Sequence, residues 1–289
     1  MDILFRCLNA ALMLTMPLAL GVFLARRLKT GWRPYLIGVG TFLGSQILHI
    51  PFNSWVLSPA FERLGLSQPW EGAGLIVAAC ALGLSAGVFE EGARYIVLRR
   101  WLRDARTWSQ GVMFGAGHGG VESAAVGVIT LIALFQAIAY RDADLSGHVP
   151  PEQLSAARAQ LAAYWAAPPS LIVLGSVERA ISLCVQVSLA VVVVRAVTRG
   201  NPAWLALAIG WHAFTDALAL FVATRYGPYL TEGLLAVVAF ISLAILFTLR
   251  TPDPPEPAER ASQPQAEAIE PFMPATPRND QVEDSRFLG

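Results

Sequence analysis

The sequence predicts an all-α, polytopic membrane helix bundle with about seven transmembrane helices, and three observations predict it. Only 15% of the 289 residues are charged and 55% are hydrophobic, giving a mean hydropathy of +0.51, whereas a soluble domain carries about 25% charged residues. Seven apolar segments reach the roughly 20 residues a helix needs to cross about 30 Å of hydrocarbon. The loops between them alternate between basic and mixed charge. Lys plus Arg and Asp plus Glu number 21 each, so the net charge is zero and nothing suggests nucleic-acid binding.

The segments fall at about 3–25, 34–57, 73–98, 109–139, 169–194, 202–224 and 228–249. The first lacks a basic leader and is followed by Arg26, Arg27 and Lys29, a stop-transfer flank, so it reads as a retained span rather than a cleaved signal. Those residues and Arg33 make the first loop basic. Arg99, Arg100, Arg103 and Arg106 do the same for the third, and Arg195 and Arg199 for the fifth. The second and sixth loops carry only Arg63 and Arg225, accompanied by Glu62 and Glu71 and by Glu232 respectively, and the fourth, about 140–168, is mixed. The positive-inside rule then predicts an external N-terminus and a cytoplasmic C-terminus in a multi-pass cell inner-membrane protein.

Within the fourth loop, Pro151 to Trp165 is helix-prone and reads as an external amphipathic cap. Residues 1–250 make one membrane domain. The stretch 251–289, rich in Pro, Glu, Ala and Gln, cannot bury enough apolar surface to order itself and is expected to be a disordered cytoplasmic tail. Cys7, Cys80 and Cys184 all lie in apolar stretches, are expected to be buried, and give no disulfide framework. No internal repeat is visible, which argues against an inverted-repeat transporter.

Ionisable residues inside a membrane are expensive and mark function by default. The spans contain Glu90, Glu91, Arg94, Glu122, Glu178, Arg179 and Asp216, together with His49, His118 and His212. Left unpaired, the formal charges would cost roughly 15–25 kcal/mol, so they must pair or line a wet cavity. Glu90 and Arg94 stand at i,i+4 on one helix, with Glu91 within reach of Arg94 at i,i+3. A helix-locking ion pair needs one acid; the second is surplus. Phe114, His118 and Glu122 form one stripe on the fourth span, and the glycines around His118 allow neighbouring helices to approach closely. His212 and Asp216 are again i,i+4, an acid placed to orient a histidine. At 1.5 Å per residue, Glu90, His118 and His212 reach a common depth of about 13–15 Å from the cytoplasmic side. Glu122, at the next turn, reads as a partner of His118 or a direct participant, and Glu178/Arg179 as a structural pair. His49 and Asn53 flank Pro51, where a broken helix can expose carbonyls. Gly83-Leu-Ser85-Ala-Gly87 matches a nucleophile-elbow string, but it lies inside a membrane helix and reads as a packing face.

Glu90-Glu91-Gly-Ala-Arg94, Phe114-Gly-Ala-Gly-His118 and His212-Ala-Phe-Thr-Asp216 resemble the three motifs of the CAAX prenyl endopeptidase and bacteriocin-processing superfamily. Within it, residues 49–53 and the His-Gly-Gly-x-Glu string at 118–122 look most like the YhfC family of intramembrane peptidases. Two departures stand out: Arg94 follows the acid pair one residue sooner than usual, and Asp216 replaces the more common Asn, so prenylated substrates do not follow. The resemblance implies an intramembrane endopeptidase acting on a peptide in or near the bilayer. In that reading Glu90 activates water with help from His118, His212 and Asp216 polarise the scissile carbonyl, and Arg94 holds Glu91 and Glu90. Glutamic-type chemistry needs no cofactor; alternatively His118, His212 and Glu90 form a His₂-carboxylate site for one divalent metal such as zinc. The alternative class is a non-enzymatic transporter subunit or an immunity-type binding protein using the same cavity.

Overall fold

The computed structural model describes residues 2–66 and 68–251; the expected tail from 252 onward lies outside the described residues. Among the described residues, seven helices are long and apolar enough to cross a membrane. The first is α1 (Asp2–Leu28). The second span, Arg33–Arg63, is a composite of α2 (Arg33–Phe52), a π-helical turn (Asn53–Leu57) and α3 (Ser58–Arg63). Then follow α4 (Gly72–Arg100) and α5 (Trp108–Ala139), a loop containing the short helix α6 (Pro151–Ala166), and α7 (Pro169–Arg199), α8 (Pro202–Tyr226) and α9 (Pro228–Thr248). Helices overrun the apolar segments by a few residues at several ends, because arginines such as Arg27, Arg100 and Arg199 continue the helix beyond the hydrocarbon.

Local chemistry sets the boundaries. Pro151, Pro169, Pro202 and Pro228 each open a helix, where a missing N–H costs nothing. Thr107 and Gln110 cap α5 reciprocally, each side chain accepting the other's backbone N–H at 3.2 Å. Gly200, at φ +61°, ends α7 in the left-handed conformation, and Asn201 then caps α8 through Ala203 N–H. Pro51 removes an N–H from α2, and the helix widens into the π turn directly after it.

Packing is organised around α7. Two-thirds of its most apolar stretch, 67%, is buried, against 22–39% for the other spans. A helix that is apolar all round belongs in the centre; the run from Val185 to Val194 is buried throughout. Around it, the helices approach through glycine. A Cβ added at Gly117 of α5 would stand 1.9 Å from the Tyr35 carbonyl oxygen of α2, and one at Gly38 of α2 would stand 2.1 Å from the Phe114 oxygen. Gly83 and Gly87 of α4 press in the same way on the α8 backbone, at 2.4 Å from the Ala213 oxygen and 2.7 Å from the Ile209 oxygen. The small-residue string at 83–87 is therefore a packing face.

Two expectations are corrected. Cys7 and Cys80 are exposed on the outer surface, and Cys184 is half-buried, because apolar residues in a membrane protein are free to face lipid. The α6 helix has no buried residue; at its C-terminal end Arg6 bonds the Tyr164 carbonyl and stacks over the Tyr164 ring at 3.8 Å, and Arg141 stands over the Trp165 ring at 4.7 Å.

The candidate active site

Glu90 lies ten residues before the end of α4, His118 ten after the start of α5 and His212 ten after the start of α8. All three are thus about 15 Å inside one end of the bundle, the end that carries Arg26, Arg27, Arg99, Arg100 and Arg199. Equal depth becomes contact because α5 is stripped of side chains around His118. Gly117 admits α2 on one side; Gly115 and Gly119 admit α7 on the other, where an added Cβ would meet Ala190 and Gln186 atoms at 2.7 Å.

The two adjacent acids have separate partners. Glu91 and Arg94 are both fully buried and paired at 3.0 Å, and Glu91 Oε1 also accepts the His212 Nδ1 hydrogen at 2.7 Å. Glu90 faces the opposite way round: its Oε2 is 3.1 Å from His118 Nε2 and 4.0 Å from His212 Nε2, and its Oε1 accepts from Gln46 Nε2 at 3.1 Å. Arg94 is 3.9 Å from Glu90, too distant for a hydrogen bond. His212 Nε2, at 4.0 Å, is likewise beyond hydrogen-bond reach, so the bonds of Glu90 go to His118 and Gln46. His118 is completely buried and packs edge-on against Phe42 at 5.2 Å.

Asp216 reaches His212, as the i,i+4 spacing predicts, but shares the imidazole with a second acid. It approaches His212 Nε2 at 3.5 Å and is 43% exposed, while the acid that orients the imidazole is Glu91, bonded to the other ring nitrogen. Glu122 does not bond to His118. It pairs with Arg179 at 2.8 Å and accepts from Gln186 Nε2 at 2.6 Å, because one helical turn beyond His118 its stripe has rotated towards α7. Glu178 also pairs with Arg179, as expected.

Gln46 and Gln186 were not singled out from sequence, yet both belong to the cluster. Gln186 connects its parts: it donates to Glu122 and accepts from Arg94 through Oε1, so Glu122, Gln186, Arg94, Glu91 and His212 form one chain of bonds. An uncharged amide in an apolar span is a weak signal, since its insertion cost is small beside that of a charge. The His49 neighbourhood is a separate knot: His49, Asn53 and Ser85 bond mutually at 2.7–3.0 Å. A cavity of about 110 Å³ opens beside the cluster, lined by Glu90, Glu122, Arg179, Gln186, His212 and Asp216. It has room for several waters. Its Glu122 and Arg179 side is farther from the basic end than Glu90 is.

Fold and site together define a multi-pass membrane protein with a buried acid–histidine cluster beside a polar cavity within the bilayer-spanning region. The YhfC intramembrane metalloprotease family matches residues 12–239, and the chain belongs to that family. It is also 27% identical over 223 residues to the uncharacterized membrane protein YhfC of Bacillus subtilis (strain 168), an alignment covering 75% of this chain and 84% of that protein. No solved structure matches.

Proposed function

We propose that the chain is an endopeptidase that hydrolyses a peptide bond within or beside the membrane at the Glu90, His118 and His212 cluster. The observation that carries this reading is the division of labour between neighbouring acids. Arg94 and His212 hold Glu91, whereas Glu90 bonds His118 and has His212 Nε2 4.0 Å away, at the edge of a cavity with room for several waters. A carboxylate so placed is able to take a proton from water as the water oxygen attacks the scissile carbonyl carbon, and to deliver it to the leaving amine when the C–N bond breaks. Gln46 fixes one Glu90 oxygen and so aims the other. Glu91, by accepting the Nδ1 hydrogen of His212, leaves Nε2 as the nitrogen facing the reacting carbonyl.

The family is one of metalloproteases. Among the described residues, no group of three or more His, Cys, Asp or Glu side chains is drawn together as a metal cluster. The donor chemistry nevertheless fits an ion. Separations of 3.1 and 4.0 Å from Glu90 Oε2 to the two Nε2 atoms bracket the roughly 3.3 Å between ligands of a tetrahedral ion with bonds of about 2.0–2.1 Å. His118 Nε2, His212 Nε2 and a Glu90 oxygen are the groups that would hold it. A divalent ion held there would supply a Lewis acid and would lower the pKa of bound water.

The test needs no guessed substrate. New protein termini are compared in membranes of cells making the wild type or equally abundant Glu90→Gln. Wild-type-specific ends at membrane borders are expected, and no difference at matched abundance sinks the reading. Metal content of the same purified proteins separates the two roles of Glu90. Retention of metal by an inactive Glu90→Gln marks a base, and loss of both marks a ligand.

A further inference from the structure

A large apolar cavity lies away from the polar cluster. A wedge of about 670 Å³ lies between α1 and α9, floored by α5 and α7, within the range of roughly 300–1,000 Å³ typical of ligand pockets. Leu20 and Leu24 of α1, Leu183 and Val187 of α7, and Leu243 and Leu246 of α9 make its walls. Its mouth is at the basic end of the bundle. There Arg27, at the end of α1, and Arg250, just past α9, both line it, and no acidic side chain does. Neither arginine forms an ion pair with a described residue, and the Arg250 guanidinium stands 5.4 Å over the Trp108 ring. Trp108 and Ser109, the first residues of α5, line the same mouth, so the positive end of a helix dipole faces it too. The polar cavity is on the other side of α7, lined by Ser182, Val185 and Gln186.

We infer that this wedge is a binding site for one anionic phospholipid, its acyl chain between α1 and α9 and its phosphate between Arg27 and Arg250. The shape asks for an amphiphile: a long apolar slot with cations at one end and nothing polar at the other. A neutral lipid or a bare hydrocarbon leaves the two arginines without a counter-charge, and a free phosphate leaves the slot unfilled. Basic residues at the cytoplasmic ends of membrane helices are where anionic headgroups are found. The lipid fills the gap between α1 and α9. The inference stands apart from the hydrolytic reading, since no residue of the polar cluster lines the wedge.

The full chain, purified in a neutral detergent and stripped of lipid, is melted with tryptophan fluorescence as readout, in the presence of phosphatidylglycerol, phosphatidylcholine or glycerol phosphate. Phosphatidylglycerol is expected to raise Tm by about 5 °C, with little change from the other two. Arg27→Gln with Arg250→Gln, both at exposed positions, should fold with the wild-type Tm and lose that rise; Leu243→Trp, which fills the slot, should lose it while keeping both charges. Equal stabilisation by phosphatidylcholine removes the anion requirement and overturns the site. An equal effect of glycerol phosphate removes the acyl chain and also overturns it. A wild-type response in both variants moves the lipid elsewhere.

Discussion

At the scale of single residues, the chemistry depends on two neighbouring glutamates having different partners. Glu91 and Arg94 are wholly out of contact with solvent and hold each other. Removing one member of such a pair strands a charge in a low-dielectric interior, at a cost of about 3–5 kcal/mol. Arg94→Met is therefore expected to lower the melting temperature and the membrane abundance sharply, as measured on purified protein and by immunoblot. Glu90→Gln, whose partners are imidazoles and an amide, is expected to leave both near wild type. A mild Arg94→Met phenotype would mean that Glu91 is neutral in the folded chain. Lost activity from Arg94→Met is then a folding defect, and lost activity from Glu90→Gln a chemical one.

At the scale of helices, glycine sets the distances. The α2–α5 seam is defined by Gly38 and Gly117, each against the carbonyl oxygen of the other helix. A methyl group at Gly117 has nowhere to go, because its neighbour is backbone; Gly40, on the same α2 helix, has nothing within 4 Å of an added Cβ. Gly117→Ala is expected to part the two helices, withdraw Gln46 from Glu90 and lower both thermal stability and proteolysis. Gly40→Ala is expected to be neutral or slightly stabilising, alanine being the better helix former by about 1 kcal/mol. Equal melting temperatures for the two variants would contradict the seam. The π turn after Pro51 works at the same scale. It follows the point where His49, Asn53 and Ser85 bond to one another, so the polar side chains around this proline are satisfied within the bundle.

At the scale of the whole molecule, charge at the helix ends predicts the direction of insertion. Arg26, Arg27, Arg99, Arg100, Arg195 and Arg199 gather at one end, and contacts between Trp108 and Leu246 and between Arg195 and Leu249 join the same end. The positive-inside rule assigns that end to the cytoplasm. In a chain with its native cysteines replaced, Arg225→Cys should react with an impermeant maleimide in intact spheroplasts, and Arg199→Cys only after permeabilisation; both positions are exposed. The reverse pattern would invert the topology and turn the Glu122 and Arg179 side of the polar cavity towards the cytoplasm.

Much of this was readable along the chain. Spans declare themselves because hydrocarbon demands about 20 apolar residues in succession, and Glu90, His118 and His212 stand out because a charge or an imidazole inside a span is costly. Those are local properties. Partner choice is not: Asp216 was the natural orienting acid for His212 by i,i+4 spacing, yet the Nδ1 bond goes to Glu91 on another helix. Glu122 was near His118 in sequence and pairs instead with Arg179 and Gln186 on α7. The two glutamines carried no signal, since a neutral amide in a span costs little. The sequence by itself determined the class of protein, its spans and which polar residues had to be explained. Only the tertiary structure decided which of them meet, because glycine-lined seams set the rotation and spacing of helices far apart in the chain, and hydrogen bonds form across those seams at distances that no spacing along one helix encodes.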